Sequence, residues 1–472
     1  MGQEIADTRF TPEDFAEFER RLAAETAFLR ELAAKGGLRS STRKIGFELE
    51  GWLVDQECRA APRNAEFIER LNDPLVVPEL ATFNFELNAP PAELREGVFQ
   101  DLHKGLLKHW SACESVAQEL GMQVAMTGIL PTLQESDLCL DNMSLMQRYR
   151  ALNDQIFRLR EGKPIELDIK GEEQLSLWHQ DVMLEAATTS FQLHFQVDHE
   201  DAVRAFNISK ILSAALVAAT SNSPLLFERL LWAETRIPVF EQAVSVGGTE
   251  HTKRVSYGIR YADQDIQECF DANLDRYPVL LPELMEGEVS EMRHLRLHNG
   301  TIWRWNRPLV GFDEVGDAHL RIEQRVIPAG PTARDAIANA AFYFGLMTYF
   351  LDGQENLEQE VVFSASKQNF YLAACDGLEA QQKWRKGLRL PLKEIILEDL
   401  WPRAIKGLLM AGVPSGEAEY WLGVIRERVD SGRTGAAWQR QWVKSHENTC
   451  CDMLKEYLKF QRSDMPVHTW PL

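Results

Sequence analysis

Residues 44–52 read Lys-Ile-Gly-Phe-Glu-Leu-Glu-Gly-Trp, and their alternation decides the fold class. Successive side chains of a β-strand point to opposite faces. Ile45, Phe47 and Leu49 therefore face one way, and Glu48 and Glu50 the other. Residues 82–88 repeat the pattern, with Phe83, Phe85 and Leu87 against Asn84, Glu86 and Asn88. Residues 190–198 set Phe191, Leu193, Phe195 and Val197 against Gln192, His194, Gln196 and Asp198, and residues 319–326 place Arg321, Glu323 and Arg325 opposite Leu320, Ile322 and Val326. A Trp-rich strand is expected over 301–308, just before the last of these.

An antiparallel sheet with one face packed and the other wet produces such segments by itself. Wet strand faces, however, usually carry Thr, Lys and mixed charge. These carry Glu48, Glu50, Glu86, His194, Glu323 and two arginines, with no Lys among them. Carboxylates gathered on one sheet face repel and raise one another's pKa unless a cation compensates them. Magnesium, a hard ion that binds through a few carboxylates and substrate phosphates, suits such a surface. A single His among acids is compatible with magnesium or manganese and differs from a thiolate zinc site. Arg321 and Arg325 offer guanidinium forks for phosphate or carboxylate, or else plain ion pairs to the neighbouring acids. His294 and His298 are expected on a polar strand face, because Leu295 and Leu297 alternate around them.

Outward from the strands the period changes. Residues 11–35 predict an amphipathic helix with Thr11 as cap and Pro12 in the first turn; Phe15, Phe18, Leu22, Leu29 and Leu32 form its stripe, and Gly36 and Gly37 end it. Helical periodicity returns near 93–120, 200–219, 333–351 and from 393 to the end. The order predicts an α+β fold built on a mainly antiparallel sheet flanked by helices, with a helical C-terminal region. The expected divisions are an N-terminal helix at 1–40, a catalytic sheet unit at 41–380, and a helical region at 381–472 packed on the same unit.

The chain has 472 residues, 71 Asp and Glu against 51 Lys and Arg, and a formal charge of −20. That balance argues against nucleic acid or an anionic membrane as partner. The seven cysteines show no metal spacing and read as reduced thiols. No signal segment is seen at the N-terminus and no stretch reads as a membrane span, so a cytoplasmic protein is expected. Phosphate-loop, dinucleotide, HExxH and GxSxG signatures are all missing. If ATP is used, carboxylate-held metal must carry its phosphates.

Taken in order, Gly46-Phe-Glu-Leu-Glu, Glu79 through Glu86 into Leu-Asn-Ala-Pro, Leu193-His-Phe-Gln-Val and Arg321-Ile-Glu-Gln-Arg resemble the metal-binding strands of glutamate–cysteine ligases and related bacterial carboxylate–amine ligases. Asn222-Ser-Pro-Leu-Leu and the Asn369 to Leu378 stretch resemble two further motifs of that family. The resemblance implies a glutamine-synthetase-like curved sheet forming a funnel for ATP. It also implies Glu48, Glu50, Glu79, Glu86, His194 and Glu323 as ligands for magnesium, and Arg325 against the transferred phosphate. Glu79 has the wrong parity for the Glu86 strand, so a turn or bulge must intervene. Two departures stand out: Gln196 occupies the place of a second His, and Val326-Ile-Pro-Ala-Gly-Pro-Thr replaces an Asp-containing ending.

The implied reaction passes the γ-phosphate of ATP to a substrate carboxylate, and an amine then displaces phosphate from the acyl phosphate, as in γ-glutamyl amide formation for glutathione biosynthesis. Arg321, Glu323 and Arg325 are the expected catalytic set, and Arg236 and Arg254 are the candidates for the substrate's own carboxylate. Partners would be ATP and amino acids, with assembly into a homo-oligomer left open. A guanidino-type phosphotransferase on a related fold and a non-catalytic nucleotide-binding relative stay open as alternatives.

Overall fold

In the computed structural model, which describes residues 4–5, 8–39, 42–446 and 449–472, the alternating segments become strands of one antiparallel sheet. Its strands are β1 (Lys44–Val54), β2 (Val76–Pro78), β3 (Asn84–Asn88), β4 (Ala92–Glu93), β5 (Gln123–Ala125), β6 (Phe191–Val197), β7 (Asn306–Phe312) and β8 (Ala318–Gln324). They lie in the order β7-β8-β6-β1-β3-β2, and β4 and β5 also pair with β1. The sheet curls into a half-barrel. β1 is the longest strand, at 11 residues, which is why four others pair along it.

Register follows the parity seen in the sequence. Leu49 lies opposite Phe191, Phe47 opposite Leu193, Ile45 opposite Phe195, and Phe195 in turn opposite Ile322. Each is buried, so these side chains make one dry face. A one-residue slip would turn that whole apolar set toward water, which is what fixes the pairing. Two helices cover the dry face: α4 (His199–Thr220) and α6 (Ala333–Asp352), whose Phe344 stacks on Phe195 with ring centres 6.0 Å apart.

The other helices that matter to the site are α1 (Pro12–Ala34), α2 (Val98–Glu119), α3 (Gln147–Leu159) and α5 (Arg293–Gly300). Thr11 caps α1 through a reciprocal pair of bonds with Asp14. From the interior of α1, Glu25 reaches α5: it accepts from the Leu295 N–H at 2.8 Å and meets His294 Nδ1 at 2.5 Å. Residues 293–300 are therefore helical, and the strand expected for His294 and His298 does not form. Two leucines two apart mimic strand alternation in so short an element. The same holds for the Trp-rich stretch, where regular pairing starts only at Asn306.

α4 also corrects the membrane expectation. It is the one helix among the described residues long and apolar enough to cross a bilayer, but 89% of that window is buried inside the protein. Its apolar side chains are core. The C-terminal helices lock onto α6 at a pair of glycines. A Cβ on Gly407 would meet the Gly345 carbonyl oxygen at 1.8 Å, and one on Gly345 would meet the Ala404 carbonyl oxygen at 2.6 Å. Arg428 adds a buried ion pair to Asp335 at the start of α6, at 2.7 Å. Gly407→Val should therefore force α6 and the helix of Trp401–Met410 apart and cost about 1–3 kcal/mol, read as a lower urea midpoint with unchanged slope.

Candidate active site

The polar face of the sheet is read directly from the pairing. Glu50 lies opposite Glu86, and Glu48 opposite Asn88 on one side and Gln192 on the other. His194 lies opposite Glu323, Arg321 opposite Gln196, and Glu323 opposite Arg307 of β7. Directly opposed residues share a face. All four sheet glutamates expected as ligands are thus on one side, together with the histidine and three arginines.

Glu48, His194 and Glu323 form a group whose ligand atoms all lie within 4.8 Å of one another. It is the one such group among the described residues. His194 Nε2 is 3.2 Å from Glu48 Oε1, and Arg321 Nε is 3.2 Å from His194 Nδ1. Glu323, 1% exposed, is gripped from both sides. Arg307 forms a fork on both carboxylate oxygens, and Arg325 Nη1 donates at 3.2 Å while also bonding Gln192.

The second half of the site is a cluster of like charges. Glu50 accepts from the Ser190 N–H at 2.7 Å, the Ser190 hydroxyl at 2.8 Å and Gln192 at 2.8 Å. Glu86 accepts from Asn88 at 2.9 Å. Glu79 sits in the connection between β2 and β3, so the turn required by its parity is present, and it lines the same cleft. The cleft encloses about 1470 Å³ including its open mouth, and its apolar lining includes Leu295, Leu297 and Trp303.

The electrostatics separate the two halves. At Glu323 burial raises the pKa, but Arg307, then Arg325 and His194 overcome it and hold the carboxyl near 2. Glu50 is pushed up to about 7 by burial and then by the charge of Glu79, despite Arg325 and Ser190. Glu86 is pushed well above the ordinary value by burial, then by Glu48 and Glu79. This half of the face wants a cation. The donors are hard oxygens plus one imidazole, buried and converging, which fits magnesium or manganese.

Three groups at the cleft escaped sequence reasoning. Glu185, on the turn of Val182–Ala187, is pushed up to about 8 by burial and then by Glu79 and Glu50. It is the lone acid in an apolar run, which was the available signal. Arg148, which donates to the Tyr149 hydroxyl at 2.6 Å, comes from α3, an element the periodicity reading passed over. Arg307 becomes visible only once β7 is paired with β8.

Arg236 and Arg254, expected to meet substrate, do not reach the cleft. Arg236 is 2% exposed, pairs with Glu234 at 3.2 Å and donates to the carbonyl oxygens of Arg325 and Val326. Arg254 is 1% exposed and donates to the Thr301 carbonyl at 3.0 Å and to Pro278. Both brace backbone beside the cleft, a demand set by the tertiary fold that no local pattern announces.

The raised carboxyls set a pH dependence. Glu50, Glu86 and Glu185 in the folded state hold protons that unfolded carboxyls release near 4.5. The stabilisation from Glu50 and Glu185 is full below that value and is lost as pH rises through about 7 to 8, and that from Glu86 is likewise lost as pH rises. Glu323 acts oppositely, losing stabilisation only as pH falls toward 2. In EDTA the melting temperature should fall between about pH 5 and 8, and magnesium should restore more of it at the alkaline end. A metal-free melting temperature that rises over this range would contradict the assignment.

Residues 44–456 match the family described as glutamate-cysteine ligase family 2. No curated protein matches the chain. Among solved structures it is similar to glutamate–cysteine ligase from Francisella tularensis, solved in complex with AMP, at 11% identity and a TM-score of 0.56 over 92% of this chain and 90% of that one. It is also similar to a bifunctional glutathione synthetase from Pasteurella multocida, at 11% identity and a TM-score of 0.50 over 93% of this chain and 55% of that longer one. At such identity these likenesses establish the fold alone. The family match takes in all four strands of the acidic face, and the chain belongs to glutamate-cysteine ligase family 2.

Proposed function

We propose that the protein is an ATP- and magnesium-dependent carboxylate–amine ligase that makes an amide through an acyl phosphate, in the manner of a glutamate–cysteine ligase. The observation that carries this reading is the convergence of Glu48, His194 and Glu323 beside a carboxylate cluster and three arginines in one cleft. Residues 41–380 would be the catalytic unit, with 1–40 and 381–472 as its supports.

Glu48, His194 and Glu323 would hold one ion, and Glu50, Glu79 and Glu86, with Glu185 beside them, the other. Bound magnesium supplies charge neutralisation for the ATP phosphates. Arg325 and Arg321 neutralise the transferred phosphate, and Gln192 aims Arg325 by holding its guanidinium. Arg307 fixes Glu323 in place with two parallel bonds. Arg148 and Arg296, which line the cleft, are the available partners for the substrate carboxylate. The apolar wall of Leu295, Leu297 and Trp303 excludes water, which would otherwise hydrolyse an acyl phosphate.

A panel of amino acids with Mg·ATP and hydroxylamine tests the reaction class: an ATP-dependent hydroxamate is expected, with phosphate released in step. A phosphorylated product and no amide would instead identify the guanidino-type transfer. The sharpest substitution is Glu86→Gln. It keeps the bond from Asn88 and removes a charge that the metal-free fold opposes, so metal-free stability should hold or rise. Turnover should fall at least about 100-fold, and stabilisation by magnesium should shrink. Glu323→Gln is a poorer probe, because it strands Arg307 and Arg325 as buried cations at a cost of about 3–5 kcal/mol.

A further inference from the structure

A second cavity, of about 500 Å³ including its open mouth, lies beside α4 and shares no lining residue with the acidic cleft. Its charge is opposite. In a chain of formal charge −20, Lys210, Arg260, Arg276 and Arg304 line it against two carboxylates. Both acids are already engaged, Glu250 by Lys253 and Lys367, and Glu268 by Arg260.

Lys210 is 2% exposed. Its ammonium donates to the Tyr257 carbonyl and lies 4.8 Å from the centre of the Phe206 ring and 4.9 Å from that of Tyr257. No carboxylate among the described residues forms an ion pair with it or with Arg304. Gly258, at φ +94°, keeps the amine open: a Cβ there would sit 3.0 Å from Lys210 Nζ. Arg304 also lines the cavity, lying over the Tyr277 ring and donating to the Tyr277 hydroxyl at 3.2 Å.

A buried cation with no counter-charge is costly, and an oxyanion of the right size would remove that cost. We propose that this cavity binds a small oxyanion, a phosphate or carboxylate group, held between Lys210 and Arg304. Burial, and after it the charge of Arg304, pushes the Lys210 ammonium down to about 7, and a bound anion would keep it protonated.

The chain that carries Arg304 links this cavity to the cleft. Arg304 stands between Trp303, which lines the acidic cleft, and Trp305, whose carbonyl accepts from the Arg325 N–H at 2.9 Å. Trp305 also donates to the carbonyl of Ser256, a wall residue of the second cavity, at 3.3 Å. Arg307 donates to the Ile302 carbonyl at 3.3 Å. The segment that Arg304 anchors thus supports two arginines of the cleft.

Calorimetric titration with inorganic phosphate and, separately, with malonate tests the site. It is done in EDTA without nucleotide, on the full chain, Lys210→Met, Arg304→Gln and Arg325→Gln. At least one probe should bind saturably to the wild type, and the two arms tell a phosphate site from a carboxylate site. Lys210→Met and Arg304→Gln should each weaken binding by about tenfold or more, and Arg325→Gln should leave it unchanged. Weakening by Arg325→Gln alone would put the anion in the acidic cleft and overturn the proposal. So would wild-type affinity in the other two variants, or no binding of either probe. Arg304 is partly exposed, so if Lys210→Met does not fold, Arg304→Gln decides.

Discussion

Five carboxylates share the polar side of this fold, four on the sheet face and Glu79 on the adjoining turn, and their mutual repulsion is the constraint around which the rest is arranged. The antiparallel register puts Glu50 opposite Glu86 and brings Glu48, His194 and Glu323 onto neighbouring strands. A dry face on the other side fixes that register, so the acids cannot separate without exposing Phe47, Phe191 and Phe195. The hydrophobic effect therefore holds together groups that electrostatics would drive apart. The fold resolves the conflict differently at the two ends of the cluster. At Glu323 two arginines satisfy the charge. At Glu50 and Glu86 no ion pair among the described residues does, and burial with the neighbouring carboxylates raises both pKa values instead.

The braces around the cleft follow from the same arrangement. Arg236 holds the carbonyls that follow β8, and Arg254 holds the Thr301 carbonyl, so the strand end bearing Arg325 and the segment leading to Arg307 are both fixed from behind. Glu25 ties α1 to α5, whose leucines line the cleft. These contacts span from 47 to 270 residues of sequence, and each ends on a group that touches the site.

That reach explains what the sequence disclosed and what it did not. Parity alone placed Glu48, Glu50, Glu86, His194, Arg321, Glu323 and Arg325, because a strand's period is local and each segment could be read by itself. Glu79 needed a turn, and the turn is there. Arg236 and Arg254 were misplaced because a buried guanidinium bonded to carbonyls looks, in one dimension, like any other arginine. Arg148 and Glu185 come from short elements whose only relation to the sheet is spatial. His294 and His298 show the weakness of period two over a few residues, where a single helical turn gives the same pattern.

We infer that the half of the acidic face holding Glu50 and Glu86 is a divalent-cation site. Calorimetric titration of the metal-free protein with manganese, in two buffers of different ionisation enthalpy, tests it most directly. Glu50, with a pKa of about 7, and Glu185, with one of about 8, are protonated to a large extent near neutrality, and a bound ion must displace those protons. Saturable binding is expected, with net proton release at pH 7 that diminishes as the pH is raised beyond about 8. Binding that releases no protons, or no binding in the presence or absence of nucleotide, would contradict it.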